Sequence, residues 1–173
     1  ASLDPPASRA ETRVGGTLVG QTHWTKAGSP YIVIEDIDVP AGSALTIDSG
    51  VVVRFKPNLA DQKGLRPFDL ELAVRGTLTA TGADGDSVYF TSDAVDVNRG
   101  DWWGIIVPDA GGKVFLDRVV IEFGNEGIAV DKGEVNLTRS QVRSCNLSGI
   151  KIQQGTGRIT RTLVTDIGNF GGT

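Results

Sequence analysis

GIIVPDAGGKVFLDRVVIEFGNE (104–126), GIAVDKGEVNLTRSQVRSCNLS (127–148) and GIKIQQGTGRITRTLVTDIGN (149–169) follow one another in the chain and align as three copies of one unit. Gly104-Ile105, Gly127-Ile128 and Gly149-Ile150 repeat at intervals of 23 and 22, and Val107, Val130 and Ile152 follow two residues after each Ile. Leu116, Leu137 and Ile159 form a second column, and Ile121, Val142 and Val164 a third. Asn125, Asn146 and Asn169 form a fourth. Four columns that keep one period of about 22 residues mark a repeat architecture. A unit of this length holds three short strands, each turning alternate side chains inward. One unit cannot bury its own apolar face, whereas stacked units bury a continuous column. Residues one period apart then lie over each other at about 4.8 Å. The expected fold is all-β, a single-stranded parallel β-helix (β-solenoid). The LxxLxLxxN signature of leucine-rich repeats is missing, and the intervals leave no room for the helices of a doubly wound sheet.

Working outward, the N-terminal half carries short strand-like runs at Tyr31–Ile34, Ile37–Val39, Ala44–Ile47 and Val51–Phe55. Residues 58–67 and 93–101 read as loops leaving a regular body. Residues 1–13, polar and proline-containing, read as a leader or linker. The 173 residues suffice for one domain with a substantial core. There are 23 glycines and no methionine, and Val, Ile, Thr and Leu predominate, a composition suited to strands and turns. A net charge of −4 argues against a nucleic-acid partner. No run reaches transmembrane length, so membrane insertion is not expected.

SPYIVIEDIDVPAGSALTIDSGVVVRFKP (29–57), LAVRGTLTATG (72–82), VYFTSD (88–93) and GDWWGIIV (100–107) resemble, in this order, bacterial secreted and surface right-handed parallel β-helix repeat proteins of the pectin-lyase-like fold. The resemblance covers about residues 22–169. It implies a right-handed helix, a secreted or cell-surface location and an N-terminal β cap over 14–43, with the coils over 44–173. It also implies that Trp102 is a core residue, and Trp103 departs from the family pattern. The family is functionally mixed, so the resemblance implies architecture rather than activity. IGNFGGT (167–173) repeats the Asn-then-Gly step that opens a coil, so the C-terminal side reads as truncated, or as an end covered by another molecule.

Several constellations could carry chemistry. Arg118, Arg139 and Arg161 keep the coil period, and such a row could grip an acidic polysaccharide; the plainer alternative is a solvated turn row that discourages lateral pairing. Strand alternation sends one ring of Trp102-Trp103 outward, which makes Trp103 a candidate for stacking on sugar, unless a loop such as 93–101 covers it. Asp93, Asp96, Asn98 and Asp101 offer oxygens for Ca2+, the one candidate ion, at a spacing that matches no defined calcium loop. Otherwise no cofactor is expected. Asn125, Asn146 and Asn169 are expected at a bend, where Asn tolerates left-handed angles, and could bond from coil to coil as a structural ladder.

Glu122 and Arg143 should pair across one period. Cys145 reads as a buried thiol and His23 has no repeat partner. Asn136 and Asn146 open glycosylation sequons that read as accidental. The threonines share no column long enough for ice binding. No catalytic residue is expected, because the carboxylates show neither the Asp-Asp nor the Gly-His-Gly pattern of polysaccharide-degrading β-helices. The function expected is a non-catalytic extracellular module with a structural, adhesive or self-assembly role, its partners a polysaccharide or end-to-end copies. The alternative is an accessory part of a polysaccharide lyase or glycoside hydrolase whose catalytic coils lie elsewhere.

Overall fold

The computed structural model describes residues 11–57 and 63–168. In chain order the strands are β1 (Thr12–Thr17), β2 (Gln21–Trp24), β3 (Tyr31–Val39), β4 (Ala44–Ile47), β5 (Val52–Phe55), β6 (Glu71–Val74), β7 (Thr77–Thr81), β8 (Val88–Ser92) and β9 (Gly104–Val107). There follow β10 (Lys113–Asp117), β11 (Val119–Glu122), β12 (Glu126–Val130), β13 (Glu134–Thr138), β14 (Gln141–Cys145), β15 (Ser148–Ile152), β16 (Thr156–Thr160) and β17 (Leu163–Ile167). A single 3-10 turn, Lys26–Gly28, is the one helical element among the described residues. The fold is all-β, and every pairing between these strands is parallel.

From β4 onward each strand pairs with the strand three elements later, which generates three ribbons. The first runs β3-β6-β9-β12-β15, the second β2-β4-β7-β10-β13-β16, and the third β3-β5-β8-β11-β14-β17. Strand β3 belongs to two ribbons. Tyr31–Val33 pair with β5, and Ile37–Val39 pair with β6. The sequence reads as two separate runs here, Tyr31–Ile34 and Ile37–Val39. The structure instead carries one strand around the corner.

The columns read from the repeat are hydrogen-bonded neighbours. Ile128 lies between Ile105 and Ile150, Leu137 between Leu116 and Ile159, and Val142 between Ile121 and Val164. All three central residues are fully buried, with Trp102, Phe55 and Phe90 in the same core. The Gly of each Gly-Ile step has a steric cause. A Cβ on Gly104, whose φ is +141, would stand 1.8 Å from the Glu126 carbonyl oxygen. One on Gly127 would meet the Gly149 carbonyl oxygen at 2.5 Å. No side chain fits where neighbouring turns of chain approach this closely.

Three sequence expectations need amending. Strand β1 begins at Thr12, so the last two residues assigned to the polar leader are paired, with Tyr31 and Ile32. Every second residue of this strand faces solvent, which hid it from an apolar reading. Second, left-handed backbone falls on the arginines: φ is +51 at Arg118, +48 at Arg139 and +49 at Arg161, whereas neither Asn125 nor Asn146 has positive φ. The corner between the second and third ribbons therefore imposes a conformation that Arg has no intrinsic preference for. Third, alternation fails in the first ribbon. Strands β6, β9 and β12 are buried on both faces, Ala73, Ile106 and Ala129 included. The segment 63–69 crosses their outer side. Arg66 reaches Asp131 beyond β12 at 3.6 Å, and the Leu65 N–H donates to the Glu71 carboxylate.

Candidate functional site

The arginine row is assembled, but two of its members are already engaged. Arg118 Nε donates to Asp84 Oδ1 at 2.7 Å and Nη1 lies 3.2 Å from Asp117 Oδ2. Arg139 clasps the same Asp117 with Nε and Nη2, and this pairing raises its pKa above the usual guanidinium value. Arg161 has no ion pair among the described residues. Acid and base alternate along this corner, so its net field is far weaker than three stacked cations would give.

Of the tryptophan pair, Trp102 is inward, stacked on Phe55 with centroids 3.9 Å apart and planes 12° off parallel. Its Nε1 donates to the Glu122 carbonyl at 2.9 Å. Trp103 is half-buried and is not an open platform. The Arg66 guanidinium sits 5.6 Å from the ring centroid, and Nε1 donates to Glu126 Oε2 at 3.3 Å. The covering group thus comes from residues 63–69, not from the loop 93–101.

That loop does not gather its oxygens. Asp93 turns toward Arg54 at 4.0 Å, and Asp96 is exposed, with its carbonyl accepting from Asn98 Nδ2. Asp101 Oδ2 accepts from Ser92 Oγ at 2.6 Å and from the Asn98 N–H at 2.9 Å. Among the described residues no three His, Cys, Asp or Glu side chains come together as a metal cluster. The acids instead pin the loop to itself and to the body.

Two members of the asparagine ladder are joined, Asn146 Nδ2 donating to Asn125 Oδ1 at 2.9 Å. Asn169 lies outside the described residues. The chain of bonds continues outside the repeat, from Asn125 Nδ2 to Asp69 Oδ2 at 2.9 Å. Burial holds the Asp69 carboxyl up at about 6, against the lowering effect of that bond. Asn125→Ala should cost about 1–3 kcal/mol in urea unfolding, because it strands the Asn146 amide and the Asp69 carboxylate together. A loss below about 0.5 kcal/mol would show that water replaces the amide at both ends.

A further candidate recognition surface is a groove on the outside of the third ribbon. Its floor is the outward register of successive strands, Arg54 beside Thr91 and Glu122 beside Arg143, with Tyr89 between Val52 and Val120. Thr91 Oγ1 donates to Glu122 Oε1 at 2.9 Å, and Arg143 Nε donates to Glu122 Oε2 at 2.8 Å, the cross-period pair anticipated from spacing. Asp93, Ala94 and Val97 form one wall. This depression has a volume of about 520 Å³. A second, of about 610 Å³, shares Val97 and Phe123 with it and continues past Arg99, Ser144 and Asp166. Phe123, Ser144 and Asp166 form a second left-handed corner row, with φ between +52 and +63, which points them outward along the rim. Arg99 joins Asp166 across that rim, and Ser144 Oγ donates to Asp166 Oδ2 at 2.7 Å. The outcome is an elongated surface with two half-buried rings, Tyr89 and Phe123, among charged hydrogen-bonding groups. Sequence reasoning missed these rings because each is a single aromatic in its column.

Other titratable groups are less prominent. Cys145 is fully buried, and burial pushes its thiol up to about 11, the behaviour of an inert core residue. His23 Nε2 meets Asp48 Oδ1 at 2.7 Å on an exposed stretch of the second ribbon. Glu71 at the head of β6 is 1% exposed, and burial raises its carboxyl to about 7.

No family model and no solved structure matches the chain. A curated protein similar to it is "Protein bark beetle" of Drosophila melanogaster, 30% identical over 84 residues. That stretch is 49% of this chain and 2% of the fly protein, so the chain matches only a small part of that relative's length.

Proposed function

We propose that the chain is a right-handed parallel β-helix module of a secreted or cell-surface protein, non-catalytic, whose outer groove holds an extended glycan. The handedness follows from the rule that crossovers between parallel strands of one sheet are right-handed in about 98% of cases. The observation that carries the functional reading is the groove of Arg54, Tyr89, Thr91, Glu122 and Phe123 on the third ribbon. Sugars present apolar ring faces and dense hydroxyls. An aromatic side chain covers the first, while carboxylate, guanidinium and hydroxyl groups take the second. A surface built on strand register is stiff, so little ordering cost is added on binding. The groove's length across β5, β8 and β11 suits a chain of several sugars better than a single compact ligand.

The test is a glycan array of neutral and acidic polysaccharides, followed by titration of the best ligand. Tyr89→Ala should weaken binding about ten-fold or more, the loss typical of a central aromatic contact, with the melting temperature nearly unchanged. Retention of no glycan at all, or equal binding by Tyr89→Ala, would sink the reading.

A further inference from the structure

We infer that the pocket beneath residues 64–65, between the two parts of β3 and β6, is a divalent-cation site of the Ca2+ class with Glu71 and Asp36 as its carboxylate ligands. The pocket has a volume of about 210 Å³ and is lined by Asp36, Asp38, Gly64, Leu65, Glu71 and Arg75, among others. Arg75 pairs with Asp38, Nη1 to Oδ1 at 2.6 Å, and its Nε lies 3.1 Å from Asp109 Oδ2, so its charge is committed to those two carboxylates and not to Glu71. Glu71 Oε1 accepts from the Leu65 N–H, while Glu71 Oε2 is buried with no hydrogen-bond partner among the described residues. Asp36 Oδ1 accepts from the Glu71 N–H at 3.0 Å, which fixes the orientation of its carboxylate. A Cβ built on Gly64 would stand 2.5 Å from Asp36 Oδ2 and 2.8 Å from Glu71 Oε1, so the two carboxylates converge on one point.

A buried carboxylate oxygen without a donor costs several kcal/mol unless a positive group faces it. Among the described residues no ion pair reaches Glu71, and Arg66, whose charge acts on it from farther away, is paired with Asp131 at 3.6 Å. A hard cation with oxygen ligands and retained waters answers this arrangement better than a softer metal, since no nitrogen or sulfur ligand lines the pocket. Bound there, the ion joins β3 to the head of β6 beneath residues 64–65, which line the same pocket.

The experiment is calorimetric titration of CaCl2 into the chelator-stripped chain, with thermal melting in parallel. One equivalent of Ca2+ should bind and raise the melting temperature. Glu71→Gln keeps an oxygen for Leu65 and removes the charge; it should weaken binding at least ten-fold and abolish the melting shift, as should Asp36→Asn. Circular dichroism of both variants should match the parent. Asp96→Asn, an exposed acid of the loop 93–101, should change neither quantity. Absence of saturable uptake would overturn the assignment, and would mark Glu71 as a buried neutral acid. Uptake that survives Glu71→Gln, or that disappears in Asp96→Asn, would overturn it equally.

Discussion

Ile128→Asp should abolish cooperative folding at room temperature, leaving no sigmoidal urea transition and a disordered circular dichroism spectrum. Ile128 is fully buried and lies in register between Ile105 and Ile150, the residues that continue the column on either side. A carboxylate at that position would be surrounded by aliphatic side chains from three successive turns, with no donor in reach. Burying an unpaired charge exceeds what relaxation of a packed interior recovers, and the expected loss is more than about 4–5 kcal/mol. Domains of this size are stable by only about 5–15 kcal/mol. Ile128→Val, which keeps shape and removes one methylene, should cost about 0.5–1.5 kcal/mol. The contrast between the two isolates charge from volume. An aspartate variant with parental melting would mean that position 128 faces water in solution.

Trp102→Ala should be the second severe substitution, at about 3–5 kcal/mol in urea unfolding. Its indole fills the interior against Phe55, and the cavity left by truncation would be bounded by rigid ladders that cannot collapse inward. The same indole N–H satisfies the Glu122 carbonyl, and the Gly124 backbone is bridged directly to residue 102. Phe123 stands between those two anchors. The substitution should therefore also loosen the groove on the third ribbon, while Tyr89→Ala removes a contact and leaves the body intact. Trp102→Phe should recover most of the volume and cost about 1–3 kcal/mol, mainly for the unpaired carbonyl. If alanine and phenylalanine variants melt alike, packing at this site matters less than the hydrogen bond.

The core of this molecule was legible in its sequence because periodicity and pairing coincide. Ile105, Ile128 and Ile150 keep their spacing because they pair, and the same holds for the Leu116 and Ile121 columns. The Glu122–Arg143 contact was readable for that reason. What periodicity does not encode was missed. Residues 63–69 have no repeat partner, so nothing in the letters tells that Arg66 returns over Trp103 or that Leu65 meets Glu71. Spacing allowed Arg118, Arg139 and Arg161 to be read as a turn row, but their left-handed backbone was invisible, because Arg has no preference for it and the tertiary ladder imposes it. The groove was only half legible. Glu122 and Arg143 keep the period, but Arg54 and Thr91 share their outward column at longer intervals set by the intervening stretches 58–67 and 93–101, so no spacing pointed to Tyr89, and Phe123 depends on a corner conformation that has no sequence signature.

Strand β3 turns a corner and hydrogen-bonds within two ribbons at once. Force or thermal fraying that begins in one ribbon cannot peel it away there without also straining the other. This stretch of chain therefore acts as a clasp, making the N-terminal end of the body yield as a unit, where independent faces would have unzipped one by one.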